Sequence, residues 1–232
     1  MECLRSKAIS IVPKLLTTSS PETQLRMCHL NTNGFLNHLH DIQLDPAIQN
    51  TDIMCFRETH LRSSVTLHSN QLPWQEAFVH RFDHKNNILK GGILITARMK
   101  TNPQQLIINN QQVECATISI RLSLDSKIII ITIYRQERTV TVRQCISALQ
   151  TIIEDFQHEE IIIVRDFNDE ARSSITRELS ALGFVEHFVN PTTDHGTTTD
   201  HVYYNRNDAQ TQSEVVNMTY SDHDLTAFII DL

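Results

Sequence analysis

Eight residues able to do chemistry stand where an apolar, strand-like run meets a polar turn: Asn31, Glu58, Tyr134, Asp166, Asn168, Asp200, Asp222 and His223. Carboxylates, carboxamides, a phenol and an imidazole are the groups that bind hard cations, move protons or orient a phosphate. Each has an ordinary alternative when taken alone. An Asp-x-Asn such as Asp166-Phe167-Asn168 also caps turns and helices through local bonds, and a lone Glu such as Glu58 also serves as a solvated loop charge. Recurrence at one strand end after another points instead to a single site assembled from distant parts of the chain.

The strongest positioning element is the stretch from Glu159 to Glu170. Its apolar part, Ile161-Ile162-Ile163-Val164, is short, β-branched and without alternation, which predicts a central strand covered on both faces. In extended chain Asp166 and Asn168 are expected on one side, where an acceptor and a combined donor and acceptor hold a water against a phosphate or a metal. Further strands are expected at Leu25–Leu30, Asp52–Phe56, Gly91–Thr96, Val113–Ile120, Lys127–Tyr134, Thr198–Asn205 and Leu225–Ile230. The three from Gly91 to Tyr134 are expected to form one antiparallel set with hairpin-like links. Leu36 to Ile48 reads as a connecting helix broken at Pro46, Val140 to Gln157 as an amphipathic helix, and Ile175 to Leu182 as a short helix closed by Gly183. Irregular alternation of strands and helices favours an α/β (α+β) architecture, two mainly antiparallel sheets packed face to face with outer helices, over a doubly wound parallel sheet.

Composition limits the function classes. A chain of 232 residues with 40% hydrophobic content suits one domain with a large core. No apolar stretch approaches the ~20 residues a bilayer-spanning helix needs, so no membrane partner is expected. Five cysteines without C-x-x-C spacing suit a reduced, intracellular protein. The formal charge of −7 excludes broad electrostatic adhesion to nucleic acid, so any such contact is local or metal-assisted. Residues 1–24, with a hydroxyl-rich Thr17-Thr18-Ser19-Ser20-Pro21, read as a flexible leader ahead of a domain spanning 25–232.

Taken in order, Asn31-Thr32-Asn33-Gly34, Arg57-Glu58-Thr59-His60-Leu61, Ile133-Tyr134, Arg165-Asp166-Phe167-Asn168, Thr199-Asp200-His201 and Ser221-Asp222-His223 resemble the motif set of the endonuclease/exonuclease/phosphatase superfamily. That superfamily includes apurinic endonucleases, pancreatic deoxyribonuclease and the endonuclease domains of LINE-type retrotransposons. Glu-Thr-His-Leu and the Asp-His-Val-Tyr ending at Tyr203 are most similar to its mobile-element branch, which extends to Helitron-type transposons. The resemblance implies a four-layered α/β sandwich with the site at one edge, and Mg²⁺-assisted (or Mn²⁺-assisted) hydrolysis of a phosphodiester in DNA that leaves a 3′-hydroxyl and a 5′-phosphate. It implies that Glu58 binds the metal with Asn33 and Asp222 near it, and that Asp166 orients or deprotonates the attacking water with Asn168. His223, held by Asp200, would bond the phosphate oxygen, with Asn31 and Tyr134 completing the donor set.

Two departures accompany the resemblance. Arg57 stands where the family usually has Gln, and Arg165 where it usually has Gly. Each places a cation beside the expected site. With Ser221 they are the expected substrate contacts, although Arg165 could equally pair with Asp166. Two other functions share the fold: a phosphatase or phosphodiesterase acting on a small molecule or lipid headgroup, and a non-catalytic binding module. The expected working form is a monomer, alone or joined to the reverse transcriptase or helicase of a parent element. Action on DNA implies the nucleus in a eukaryote.

Overall fold

Alternation along the strands decides which side chains face which layer, and here it assigns three separate apolar layers. The structure is a computed structural model. It describes residues 23–232 except 63, 69–70, 73–74, 81–90, 109–112, 124–125, 135–139, 167, 188–191, 193–197 and 199, with backbone alone at 79–80, 166 and 168–173. The expected leader lies outside the described residues up to residue 22, and Gln24 already belongs to the first strand.

Twelve strands among the described residues form two six-stranded sheets. The first runs, edge to edge, through β11 (Thr211–Val216), β12 (Leu225–Asp231), β1 (Gln24–Asn31), β2 (Ile53–Arg57), β4 (Ile93–Arg98) and β3 (Gln75–His80). The second runs through β5 (Pro103–Leu106), β6 (Glu114–Arg121), β7 (Lys127–Tyr134), β8 (Glu160–Asp166), β10 (Asp200–Tyr204) and β9 (Val185–Glu186). Only the central pair of each sheet is parallel, β1 with β2 and β7 with β8. The flanking pairs are antiparallel.

A parallel pair requires a crossover connection, and helices supply both. Between β1 and β2 run a 3₁₀ turn (Phe35–Asn37), α1 (Leu39–Leu44) and α2 (Pro46–Gln49). Asp45 stops α1 and caps α2 by accepting the Ala47 N–H at 2.8 Å, with Pro46 in the first helical position, where its missing N–H costs nothing. Between β7 and β8 runs α3 (Val142–Asp155). It opens on a capping box in which Thr141 Oγ1 accepts the Gln144 N–H at 3.2 Å and Gln144 Oε1 accepts the Thr141 N–H at 2.9 Å. A last helix, α4 (Asn168–Ala181), follows β8 directly and ends before Gly183, whose φ of 87° suits a residue without a Cβ.

Odd-numbered residues of β1, β2 and β4 (Leu25, Met27, Ile53, Cys55, Ile93, Ile95) meet even-numbered residues of β6, β7, β8 and β10 (Ile118, Ile130, Ile162, Val164, Val202) in the space between the sheets. The other face of the second sheet, with Ile129, Ile131, Ile161 and Ile163, packs under α3 and α4 through Cys145, Leu149, Ile152, Ile175 and Leu179. The other face of the first sheet, with Cys28, Leu30, Met54 and Phe56, packs under Phe35, Ile42 and Ile48. These are the four layers of an α/β sandwich. Among the described residues no helix is long and apolar enough to cross a membrane.

The expected antiparallel set from Gly91 to Tyr134 is corrected. β6 and β7 pair as expected, but β4 lies in the other sheet between β2 and β3. The chain changes sheets between β4 and β5, and no period in the sequence marks that step. The strands that the sequence leaves unread, β3, β5, β9 and β11, are the four sheet edges. Edge strands have few apolar positions, as the exposed Gln104, Gln105, Gln212 and Ser213 illustrate, so periodicity has little to report there.

Ile130, fully buried between the sheets, is predicted to cost about 2–5 kcal/mol when truncated to Ala. Gln212→Ala on the exposed edge is predicted to stay within about 0.5 kcal/mol. Urea unfolding of the two variants measures both.

Candidate active site

The central parallel strands of both sheets end at the same edge of the sandwich. Asn31 closes β1 in register with Arg57, which closes β2. Tyr134 closes β7 in register with Asp166, which closes β8 and faces Asp200 at the start of β10. Asn31, Arg57, Tyr134 and Asp200 continue the inter-sheet parity of Met27, Cys55, Ile130 and Val202. The apolar layer therefore gives way to a polar layer at this one edge.

Glu58 is positioned by backbone from two sides. Thr32 N–H donates to Arg57 O at 3.0 Å, Gly34 N–H to Glu58 O at 2.7 Å and Phe35 N–H to Thr59 O at 3.0 Å. From the turn before β4, Gly92 O and Gly91 O accept the N–H groups of Thr59 and His60 at 3.1 and 3.0 Å. These bonds hold Asn33, Glu58 and His60 at φ of 43°, 47° and 51°, a left-handed conformation that non-glycine residues keep only where their surroundings impose it. Gly92 has φ 93°, and a Cβ there would collide with Thr59 Oγ1. The Glu58 carboxylate, 25% exposed, accepts the Asn31 side-chain amide at 2.9 Å and is bonded by the Tyr134 hydroxyl. Burial, reinforced by Glu58, pushes the Tyr134 phenol up, so it stays a donor. Asn31 Oδ1 in turn accepts Asn33 N–H at 3.2 Å.

Beside Glu58, Arg57 is fully buried. It donates through Nη2 to Asp200 Oδ1 and through Nε to His29 Nε2, and so crosses from one sheet to the other. Asp200 Oδ2 lies 3.3 Å from His223 Nδ1. Burial by itself raises the Asp200 carboxyl, but His29, His223 and the Arg57 cation outweigh it and hold the group ionised. Burial lowers His223, yet the bond and charge of Asp200 more than offset this and leave the ring above its ordinary value. Removing one partner of a buried ion pair such as Arg57–Asp200 costs about 3–5 kcal/mol, because the other charge stays uncompensated. The loop carrying His223 is tied to β1, with Ser221 Oγ donating to Asn31 O at 2.8 Å and accepting His223 N–H at 3.1 Å.

The structure thus brings Asn31, Glu58 and Tyr134 together, and Arg57, Asp200, His223 and Ser221 into a linked second group. Asp222 and Asn33 are exposed on the adjoining loops. The backbone of Asp166 lies between Tyr134 and Asp200, while the Asp166 and Asn168 side chains lie outside the described residues. Asn168 opens α4, so the chain is not extended through it, and the expected same-side placement of the pair has no continuous strand to impose it.

Of the three expected substrate contacts, Arg57 and Arg165 need correction, whereas Ser221 is half-buried on the loop that carries His223. Arg57 is enclosed between the sheets. Arg165 has the opposite parity to Val164 and is fully buried under α4, bonded to Tyr203 Oη and to Thr176 Oγ1 at 3.3 Å, with its guanidinium 4.5 Å from the Tyr203 ring centre. Burial lowers its pKa, against the pull of Tyr203. The Ser221 hydroxyl proton goes to the Asn31 carbonyl. Alternation could have separated Arg165 from Asp166, since neighbours in a strand face opposite ways.

One site residue escaped the sequence reading. Glu114, 4% exposed, pairs in register with Tyr134, and its carboxyl accepts the Gly92 N–H. Burial pushes it up to about 8, with Glu58 adding to the rise and the Gly92 bond and Arg57 opposing it. A Glu at the start of an alternating strand gives no local sign that the turn before β4 will close over it.

Mg²⁺ uses one or two carboxylates and keeps several waters. The oxygen donors here fit that need: the half-buried Glu58 carboxylate with the exposed Asp222 and Asn33 on neighbouring loops. No group of three His, Cys, Asp or Glu among the described residues forms a cage, as a zinc site would require.

No family model and no curated protein matches the sequence. Solved structures do match. The chain is similar to the endonuclease domain of TRAS1, a telomere-specific non-LTR retrotransposon, at 14% identity and TM-score 0.67 over 90% of this chain and 99% of that one. It is similar to an AP endonuclease from Archaeoglobus fulgidus at 13% identity and TM-score 0.67, over 90% and 100%. It is also similar to the human Nocturnin catalytic domain at 15% identity and TM-score 0.65, over 92% and 95%. At these identities the likeness is one of fold, and the chain has the endonuclease/exonuclease/phosphatase fold.

Glu114 yields a signed prediction. A carboxyl raised from 4.5 to about 8 binds a proton in the folded state that the unfolded state has released. Its contribution is complete below the unfolded value and is lost as pH rises to about 8. Glu114→Gln is predicted to flatten that loss in urea unfolding followed across the window.

Proposed function

We propose that this chain is a metal-dependent phosphodiesterase acting on DNA, an endonuclease of mobile-element origin that leaves a 3′-hydroxyl and a 5′-phosphate. The observation that carries the reading is the double linkage, at one edge of the sandwich, between the half-buried Glu58 carboxylate and the Asp200–His223 pair. One link runs through Asn31 and Ser221, the other through Arg57. The likeness to the TRAS1 endonuclease domain and to an AP endonuclease supports the nuclease reading, and Glu58-Thr59-His60-Leu61 supports the mobile-element branch.

In this mechanism Glu58, with Asn33 and Asp222, holds Mg²⁺, which when bound neutralises charge on the phosphate and its leaving oxygen. Asn31 and Tyr134 hold the Glu58 carboxylate in place, and the second N–H of the Asn31 amide is the donor at the edge that the phosphate enters. Asp166 orients and deprotonates the attacking water, and Asn168 keeps it in line. His223 engages Asp200 through Nδ1 and presents Nε2 to a phosphate oxygen, where a donor strengthens as charge develops. The chain acts as a monomer, by itself or joined to the reverse transcriptase or helicase of a parent element. The net charge of −7 makes binding local to the site, not spread over the surface.

Supercoiled plasmid incubated with the protein and Mg²⁺ is predicted to be nicked, and EDTA to abolish the nicking. DNA ligase is predicted to seal the product, which requires a 3′-hydroxyl and a 5′-phosphate. Asp166→Ala and His223→Ala are each predicted to lower the rate about 100-fold or more. Release of inorganic phosphate from small phosphoesters without nicking would move the reading to a small-molecule phosphatase. A folded protein inert in both assays would leave a binding module.

A further inference from the structure

Asp200 and His223 belong to the motif set, but the groups bound to the other oxygen of Asp200 do not. Arg57 Nη2 donates to Asp200 Oδ1, His29 Nδ1 lies 3.3 Å from the same oxygen, and Arg57 Nε donates to His29 Nε2. The three side chains close a ring, and each is at most 2% exposed. A guanidinium nitrogen can only donate, so His29 Nε2 is the lone-pair nitrogen that accepts from Arg57, and Nδ1 stands beside Asp200 Oδ1 without completing a hydrogen bond to it. Burial, followed by the Arg57 charge, lowers His29 far below its ordinary value, against the pull of Asp200. Asp200 thus takes an Arg57 Nη2 hydrogen at Oδ1 and faces His223 Nδ1 with Oδ2 at 3.3 Å.

This ring is costly to build. Two apolar side chains of similar volume would join the sheets as well as a buried ion pair does, or better. What an apolar pair cannot do is hold a carboxylate at a fixed rotation. An Asp whose first oxygen is bonded to an enclosed guanidinium, itself anchored on His29, is restrained from turning, so its second oxygen stays aimed at His223. His223 is the half-buried imidazole at the substrate edge, 16% exposed, and its orientation depends on that oxygen.

We propose that Arg57 and His29 are positioning residues: His29 anchors Arg57, Arg57 holds Asp200 Oδ1, and Oδ2 therefore holds the Nδ1–H of His223 with Nε2 turned to the substrate. The role in turnover rests on the phosphodiesterase reading, whereas the clamp is a property of the fold. Arg57, expected from the sequence to touch substrate, acts instead through Asp200 at one remove. His29, a histidine in the middle of an apolar strand, becomes the group that orients Arg57.

The test uses the full chain labelled with ¹⁵N-histidine, with the His223 ring signals assigned through His223→Gln and read at alkaline pH, where the imidazole is neutral. In the parent protein His223 is expected as a single Nδ1–H tautomer. In Arg57→Gln and in His29→Ala the ring is expected to become a mixture of tautomers. The saturating nicking rate is expected to fall about 10- to 100-fold, the range for partners one shell behind a reacting group, with KM little changed. His29→Asn, whose amide oxygen can accept from Arg57 Nε in place of the ring, is expected to recover most of both readouts. In an Asp200→Asn background, Arg57→Gln is expected to add no further loss. If the folded variants keep the single tautomer and the parent rate, the ring only joins the sheets and the proposal is overturned. Should Arg57→Gln fail to fold, as judged by circular dichroism, the two His29 variants decide the matter. Absence of nicking by the parent protein counts against the hydrolase reading alone, since the imidazole signals still decide the clamp.

Discussion

A guanidinium with no exposed surface, ion-paired to a carboxylate on the opposite sheet, is the interaction on which the rest of this edge depends. Arg57 and Asp200 are 143 positions apart and both lie on the inter-sheet face. They convert the end of an apolar interface into a polar one without leaving a buried charge uncompensated. Because Arg57 immediately precedes Glu58 and Asp200 binds His223, the pair also sets the distance between the Glu58 and His223 sides of the edge. Any shift of one sheet against the other would separate a buried cation from its counter-ion, which makes this register expensive to change.

The topology explains why the chemistry gathers there. Each sheet is built around one parallel pair bridged by helices, and the carboxyl ends of both pairs fall at the same edge. Residues that follow parallel strands enter loops freed from the sheet ladder, where backbone can turn sharply and side chains can converge. The left-handed residues Asn33, Glu58 and His60 are concentrated in two of those loops, and their N–H and C=O groups are bonded across to each other and to the Gly91–Gly92 turn. Strain is thereby held by a cooperative set of backbone bonds, which fixes Glu58 more rigidly than its own side-chain contacts would.

Burial also sorts the ionisable groups of the edge into distinct states. Glu114 and Tyr134 are pushed towards their neutral forms, while Asp200 is held ionised by the donors around it. Neutral donors beside one fixed anion let His223 gather positive charge next to Asp200 without a second buried carboxylate competing for it. Arg165 belongs to a different arrangement. It lies against the Tyr203 ring and Thr176 beneath α4, where a glycine would leave space between helix and sheet.

Much of this was legible in the amino-acid order. The β-branched runs at Ile128–Ile133 and Ile161–Val164 announce strands, the second covered on both faces, the apolar spacing from Val140 to Gln157 announces α3, and the placement of Asn31, Glu58, Tyr134, Asp200 and His223 at strand ends announces a site. These are local properties, because strand period, helix caps and turn chemistry act over a few residues. Tertiary structure alone decided that β4 leaves its neighbours for the other sheet, that the edge strands pair at all, that Glu114 underlies the Gly91–Gly92 turn, and that Arg57 faces Asp200 whereas Arg165 faces α4. The physical reason is that alternation states which residues share a face but not which layer that face meets. A buried cation can be interpreted only once the anion that compensates it, more than a hundred residues away, has been brought to the same edge.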